Sequence, residues 1–254
     1  MGSKADSRMT KTPEELLAMR YGGATVAENI KREIESGKVI EDENGFLSFR
    51  DTPPNIDWVM VPNGPLLRCT FLIGFMFEVA YAKSAVPNGC SACYKVKVAP
   101  RTLRELVAAW GIGKRIECLS KWGVDLNNAY SQDVYAGYFY TSGLDQARAI
   151  YRIAREAIDG EPKLGPDIPM SIKRGCSDYE AALGPSDKYE FPPELVELEA
   201  YLKTKFIRRR KSENARPLPL AHWIDTAFRI GDDTYLDFTG GRPLRPKTLT
   251  YDPA

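Results

Sequence analysis

Cys90 and Cys93 are separated by the small residues Ser91 and Ala92 and follow Gly89. Two thiols at this spacing in a tight turn project to one side, so both can reach one ion. The glycine and small residues leave room and backbone N–H groups for a cluster. Cys176 stands far downstream in Lys173-Arg174-Gly175-Cys176-Ser177, and Cys69 and Cys118 complete the five cysteines. Zinc takes four ligands in a tetrahedron, and a [4Fe–4S] cube takes four thiolates. Cys90, Cys93 and Cys176 therefore need a fourth. Cys69 is placed in the set, with Cys118 as the alternative, although both also read as core residues. A second C-x2-C pair of the zinc-ribbon kind is absent, so scattered single cysteines completing one pair fit iron–sulfur better than zinc. The bland alternative is a group of buried free thiols behaving as small hydrophobes. A thioredoxin-type pair normally opens a helix, whereas the strand-like Tyr94-Lys95-Val96-Lys97-Val98 follows here.

Other residues carry weaker signals. Ser142-Gly143 joins a predicted strand to a predicted helix and can offer N–H groups to an anionic cofactor, or be an ordinary cap. No complete G-x-G-x-x-G or P-loop accompanies it. The basic run 203–211 includes Lys205, Arg208, Arg209, Arg210 and Lys211. It suits nucleic-acid phosphates, or else the solvated end of a helix. Asp232, Asp233 and Asp237 can hold a hard cation, but Gly-Asp-Asp reads better as a turn. Lys173-Arg174 either influences the Cys176 thiol or flanks a strand end. The single histidine, His222, excludes histidine-rich metal sites and multi-histidine acid–base machinery. It reads as a half-buried helix residue, and no catalytic residue is assigned.

The 254 residues have a net charge of +1 and 43% hydrophobic content, ordinary for a globular chain. No global charge draws it to nucleic acid or membrane. The N-terminus lacks a signal-peptide core, and the most apolar run, 70–81, is too short to span a bilayer. A cytoplasmic location follows as an expectation, and there paired cysteines lean toward metal or redox work.

The elements that must position these residues predict a mixed α/β fold, a central sheet flanked by helices. Residues 1–11 read as a flexible N-terminus, 12–240 as one α/β domain and 241–254 as an extended tail. Thr12-Pro13-Glu14-Glu15 starts a helix. Residues 25–36 form an amphipathic helix stopped by Gly37, and Asn44-Gly45 turns a hairpin. Residues 56–61 read as a strand. Residues 66–81 are apolar on every side, a central strand or a buried helix. Residues 94–98 predict a strand with one wet face. A helix around Leu103, Leu106 and Trp110 ends at Gly111. Asn127-Asn128 marks a turn. Residues 134–173 have the order and length of a βαβ unit, which puts Cys176 just past its second strand. Pro192-Pro193-Glu194 opens a helix with Leu195, Leu198, Leu202 and Phe206 on one face. A last helix carries Trp223, and 235–238 read as a last strand.

Two functions follow. One is a protein holding a cysteine-ligated iron–sulfur or zinc centre, with a redox partner or a structural role. The other is a nucleic-acid-binding protein or ribonucleoprotein subunit, zinc-stabilised in one version.

Overall fold

The computed structural model describes residues 10–50, 56–64, 69–126, 133–207, 219–246 and 251. In chain order its elements are α1 (Pro13–Leu17), β1 (Arg20–Tyr21), β2 (Ala24–Thr25), α2 (Val26–Glu35), β3 (Val39–Glu41), β4 (Leu47–Phe49) and β5 (Trp58–Val61). A π-helix (Thr70–Ala80) and a 3-10 turn (Asn88–Cys90) follow, then β6 (Cys93–Val98), α3 (Leu103–Gly113), β7 (Ser120–Val124), β8 (Tyr135–Ser142) and α4 (Leu144–Asp159). The chain continues through β9 (Met170–Arg174), α5 (Ser177–Leu183), α6 (Glu194–Lys205), α7 (Pro219–Ile230) and a 3-10 segment (Asp233–Phe238). The fold is mixed α/β, as the element pattern predicts. Two compact units alternate along the chain, one comprising 1–53, 67–93 and 174–214, the other 54–66, 94–173 and 215–254.

In the first unit, local chemistry sets the helix starts. Thr12 Oγ1 accepts the Glu15 N–H at 3.2 Å while the Glu15 carboxylate accepts the Thr12 N–H at 2.7 Å. Thr25 and Glu28 repeat this reciprocal box at α2. Gly37, at φ +76°, ends α2 where expected, and β3 and β4 pair as the hairpin turned at Asn44-Gly45. The ambiguous apolar run resolves as a helix with i→i+5 bonding, the Tyr81 N–H donating to Met76 O at 2.8 Å. A segment apolar all round must bury every side. It does so against α2, the β3–β4 hairpin and α6, with Phe71, Phe75, Leu195 and Leu198 in one core.

The second unit holds a five-stranded sheet in the order β5-β7-β8-β6-β9, antiparallel throughout. β8, α4 and β9 follow one another as expected, but β8 and β9 are not neighbours, because β6 lies between them. The run β6-α3-β7-β8-α4-β9 is thus a split βαβ arrangement, with β5 added at the edge. The expected wet face of β6 is covered only in part: Lys95 is 7% exposed and Lys97 partly exposed, while Val96 and Val98 on the opposite face are fully buried. β6 is hydrogen-bonded to β8 on one edge and β9 on the other.

α3, α4 and α7 cover one face of the sheet around Trp122, Phe139 and Trp223. α3 runs through Gly111 to Gly113, because the burial of Leu103, Leu106, Ala109 and Ile112 outweighs the cost of about 1 kcal/mol for a glycine inside a helix. Residues 235–238 are not a strand. Asp232 caps a 3-10 segment there by accepting the Thr234 N–H at 3.0 Å. The Asn127-Asn128 turn lies outside the described residues. Among those described, no helix is long and apolar enough to cross a membrane.

Candidate metal centre

Cys69, Cys90, Cys93 and Cys176 all belong to the first unit. Strand pairing explains how such distant residues meet. β6 starts at Cys93 and its antiparallel neighbour β9 ends at Arg174, so the start of one lies beside the end of the other. The Gly175 N–H donates to Cys93 O at 2.9 Å. Gly175 sits at φ +70°, which suits glycine, and turns the chain so that Cys176 leads into α5. Arg174 ties the same two segments together. Its Nη2 donates to Ser91 O at 3.1 Å, between the paired cysteines, and its guanidinium lies 5.0 Å from the Phe191 ring centroid. Arg174 thus acts here as a strut between loops. Cys69 caps the π-helix.

Cys90 and Cys176 are buried, at 7% and 5% exposure, while Cys69 and Cys93 are half-buried. Phe77, Val86 and Tyr179 complete a small apolar cluster around the two buried thiols. Cys90 Sγ and Tyr179 Oη share a hydrogen bond of 3.2 Å. Burial pushes the Cys90 thiol well above its ordinary pKa, and the bond to Tyr179 opposes this. The charges of Cys93, Cys176 and Cys69 add to the rise. The same burial, with Cys90, Cys176 and Cys69 nearby, drives the Tyr179 phenol far upward, so it stays protonated as a donor. Tyr189 is pushed up to about 12 by burial, then by Glu180 and Cys176. Its hydroxyl is buried without a hydrogen-bond partner among the described residues.

Cys118 belongs to the other unit and donates to Tyr140 O at 3.2 Å. Cys118 thus lies just before β7 in that unit, while Cys69 belongs to the same unit as the other three. Among the described residues, no three His, Cys, Asp or Glu side chains are drawn together as the ligands of a single ion.

Glu199 is the site residue that sequence reading missed. It accepts the Asn88 and Gly89 N–H groups at 2.5 and 2.9 Å and the Tyr81 hydroxyl at 3.2 Å, fixing the 3-10 turn that ends in Cys90. Burial raises its pKa, and those hydrogen bonds pull the other way. A signal was present: 195, 198, 199 and 202 share one helical face, so Glu199 is a charge on an apolar stripe. Gly89 leaves room beside it: a Cβ there would meet Leu72 Cδ2 at 2.7 Å and Glu199 Oε2 at 3.3 Å, so those side chains would have to shift.

Ser142 and Gly143 head α4 in the second unit, where the Ser142 N–H donates to the Gln146 carboxamide at 2.6 Å, so an intrachain acceptor takes it. His222 Nε2 and Asp57 Oδ1 are 2.8 Å apart, pinning α7 to the segment before β5. Asp237 pairs with Arg104. Lys205 closes α6, while Arg208, Arg209, Arg210 and Lys211 lie outside the described residues.

Comparison of the chain with protein-family models, curated proteins and solved structures finds no match.

Proposed function

We propose that Cys69, Cys90, Cys93 and Cys176 ligate an iron–sulfur cluster of the [4Fe–4S] type, serving electron transfer, redox chemistry or as a brace for the first unit. The observation that carries this reading is that Cys90, Cys93 and Cys176, drawn from two stretches of chain, meet in one apolar cluster, with Cys69 in the same unit. Four thiolates are the donor set such a cluster takes. A tetrahedral zinc with 2.3 Å bonds needs its sulfurs about 3.8 Å apart. A cluster puts each thiolate on a different iron and spaces the sulfurs more widely.

The surrounding residues fit the role. Tyr179 can donate to the Cys90 sulfur once that thiol is ionised by a metal. The partnerless Tyr189 hydroxyl would gain an acceptor from a sulfur-bearing group in the pocket. Glu199 and Arg174 hold the C-x2-C turn in place from opposite sides of its sequence. When bound, the cluster supplies one-electron chemistry; the chain supplies ligands, hydrogen bonds and exclusion of water.

The test is substitution of each cysteine by serine in protein purified without oxygen, with iron and sulfide assayed. Loss of iron from the four variants, and retention in Cys118→Ser, supports the assignment. Equal iron content in all five would refute it.

A further inference from the structure

The sheet of the second unit turns one face to α3, α4 and α7 through Val96, Val98, Trp122 and Phe139. Its other face carries a strip of alternating rings and lysines that crosses four strands. Trp58 of β5 and Tyr138 of β8 lie 5.9 Å apart between ring centroids. Between them on β7, the Lys121 ammonium stands 4.0 Å from the Trp58 centroid and 5.2 Å from that of Tyr138. On β6, the Lys95 ammonium lies 5.9 Å from the Tyr138 centroid and 5.4 Å from that of Tyr140. Lys97, two residues further along β6, shares this face and pairs with Asp133. The face is exposed toward its edges: Met60, opposite Lys121 in the β5–β7 register, is 48% exposed, and Trp58, Lys121, Lys97 and Tyr140 are partly exposed, while Lys95 and Tyr138 in the middle of the strip are buried at 7% and 8%.

A lysine over one ring is a common surface arrangement. A continuous strip of rings and cations over the middle strands of a split βαβ sheet is more specific. It offers π-faces for bases and positive charge for phosphates on one rigid surface. The charge selects a polyanion, and the rings select unpaired strands, because only unstacked bases expose their faces. We infer that this sheet face binds single-stranded nucleic acid, stacking bases on Trp58 and Tyr140 and drawing phosphates to Lys97 and Lys121. Lys95, 7% exposed between the two tyrosine rings, sets their spacing. The inference does not depend on the cysteine site, and it assigns binding to residues other than those of the basic run 203–211.

Fluorescence anisotropy of the full chain with labelled single strands of roughly 16 nucleotides, as RNA and as DNA, and with a DNA duplex tests it. Saturable binding of either single strand, weakening with salt and exceeding duplex binding, is expected; the tighter strand identifies the ligand. Trp58→Leu and Tyr140→Leu should each weaken binding about 5- to 100-fold, while Tyr140→Phe keeps the wild-type affinity. Lys121→Gln, on a partly exposed side chain, should weaken binding and lower the salt slope by about 1 even if the ring variants fold poorly. No single-strand binding at low salt, or a preference for duplex, overturns the inference. So does binding that is unchanged in Lys121→Gln and lost when Arg208, Arg209 and Arg210 become Ala.

Discussion

At the scale of single residues, the account rests on which side chains face the cysteine pocket. Glu199 holds two backbone N–H groups of the Cys90 turn. Glu199→Ala leaves both buried donors without an acceptor, at about 1–3 kcal/mol each. Denaturant titration should show that loss, and a chelator should strip metal faster from the variant. Glu199→Gln keeps one acceptor oxygen and should fall between wild type and Ala. The cysteines themselves were legible in the sequence, because C-x2-C spacing is local. What is not legible is which lone cysteine shares a unit with the pair. Cys69 and Cys118 both sit in apolar surroundings, and only the fold assigns Cys118 to the other unit. Glu199 escaped notice because a carboxylate among leucines reads as a solvent position until its backbone partners, 110 residues away in sequence, are seen.

At the scale of elements, Trp122 shows how tightly the second unit is fitted. Gly113 of α3 and Gly137 of β8 press on its ring, so that a Cβ at either position would overlap it, and its Nε1 donates to Ser120 Oγ at 2.9 Å. Gly113→Ala and Gly137→Ala should each destabilise the protein by about 1–3 kcal/mol, read as a lower urea midpoint with an unchanged slope. Gly111 reads as a helix end in sequence, yet α3 continues past it to Gly113, the glycine against which the Trp122 ring packs. The strand order was hidden for a related reason. Lysines at 95 and 97 gave β6 a polar rhythm, and nothing local reveals that tyrosine rings cover Lys95. Caps and turns, by contrast, are legible at Thr12, Gly37 and Asn44-Gly45, since each is settled by neighbours a few residues away.

At the scale of the whole molecule, acid stability and the metal are the two global readouts. Asp232 accepts hydrogen bonds from the Leu103 N–H at the head of α3, the Tyr135 hydroxyl of β8 and its own Thr234. Burial opposes its ionised form, but those donors outweigh the penalty and hold the carboxyl below its usual range. Its contribution is therefore present above the unfolded carboxylate pKa, near 4, and is lost as pH falls through the lower folded value. Asp232→Asn should be less stable than wild type at neutral pH, and denaturation curves of the two should converge on acidification. The metal is the more direct readout. Full-length protein purified without oxygen from iron-supplied cells should be coloured and carry about four irons and matching sulfide per chain. Its visible absorption should bleach on reduction. Colourless protein holding neither iron nor sulfide would contradict the account.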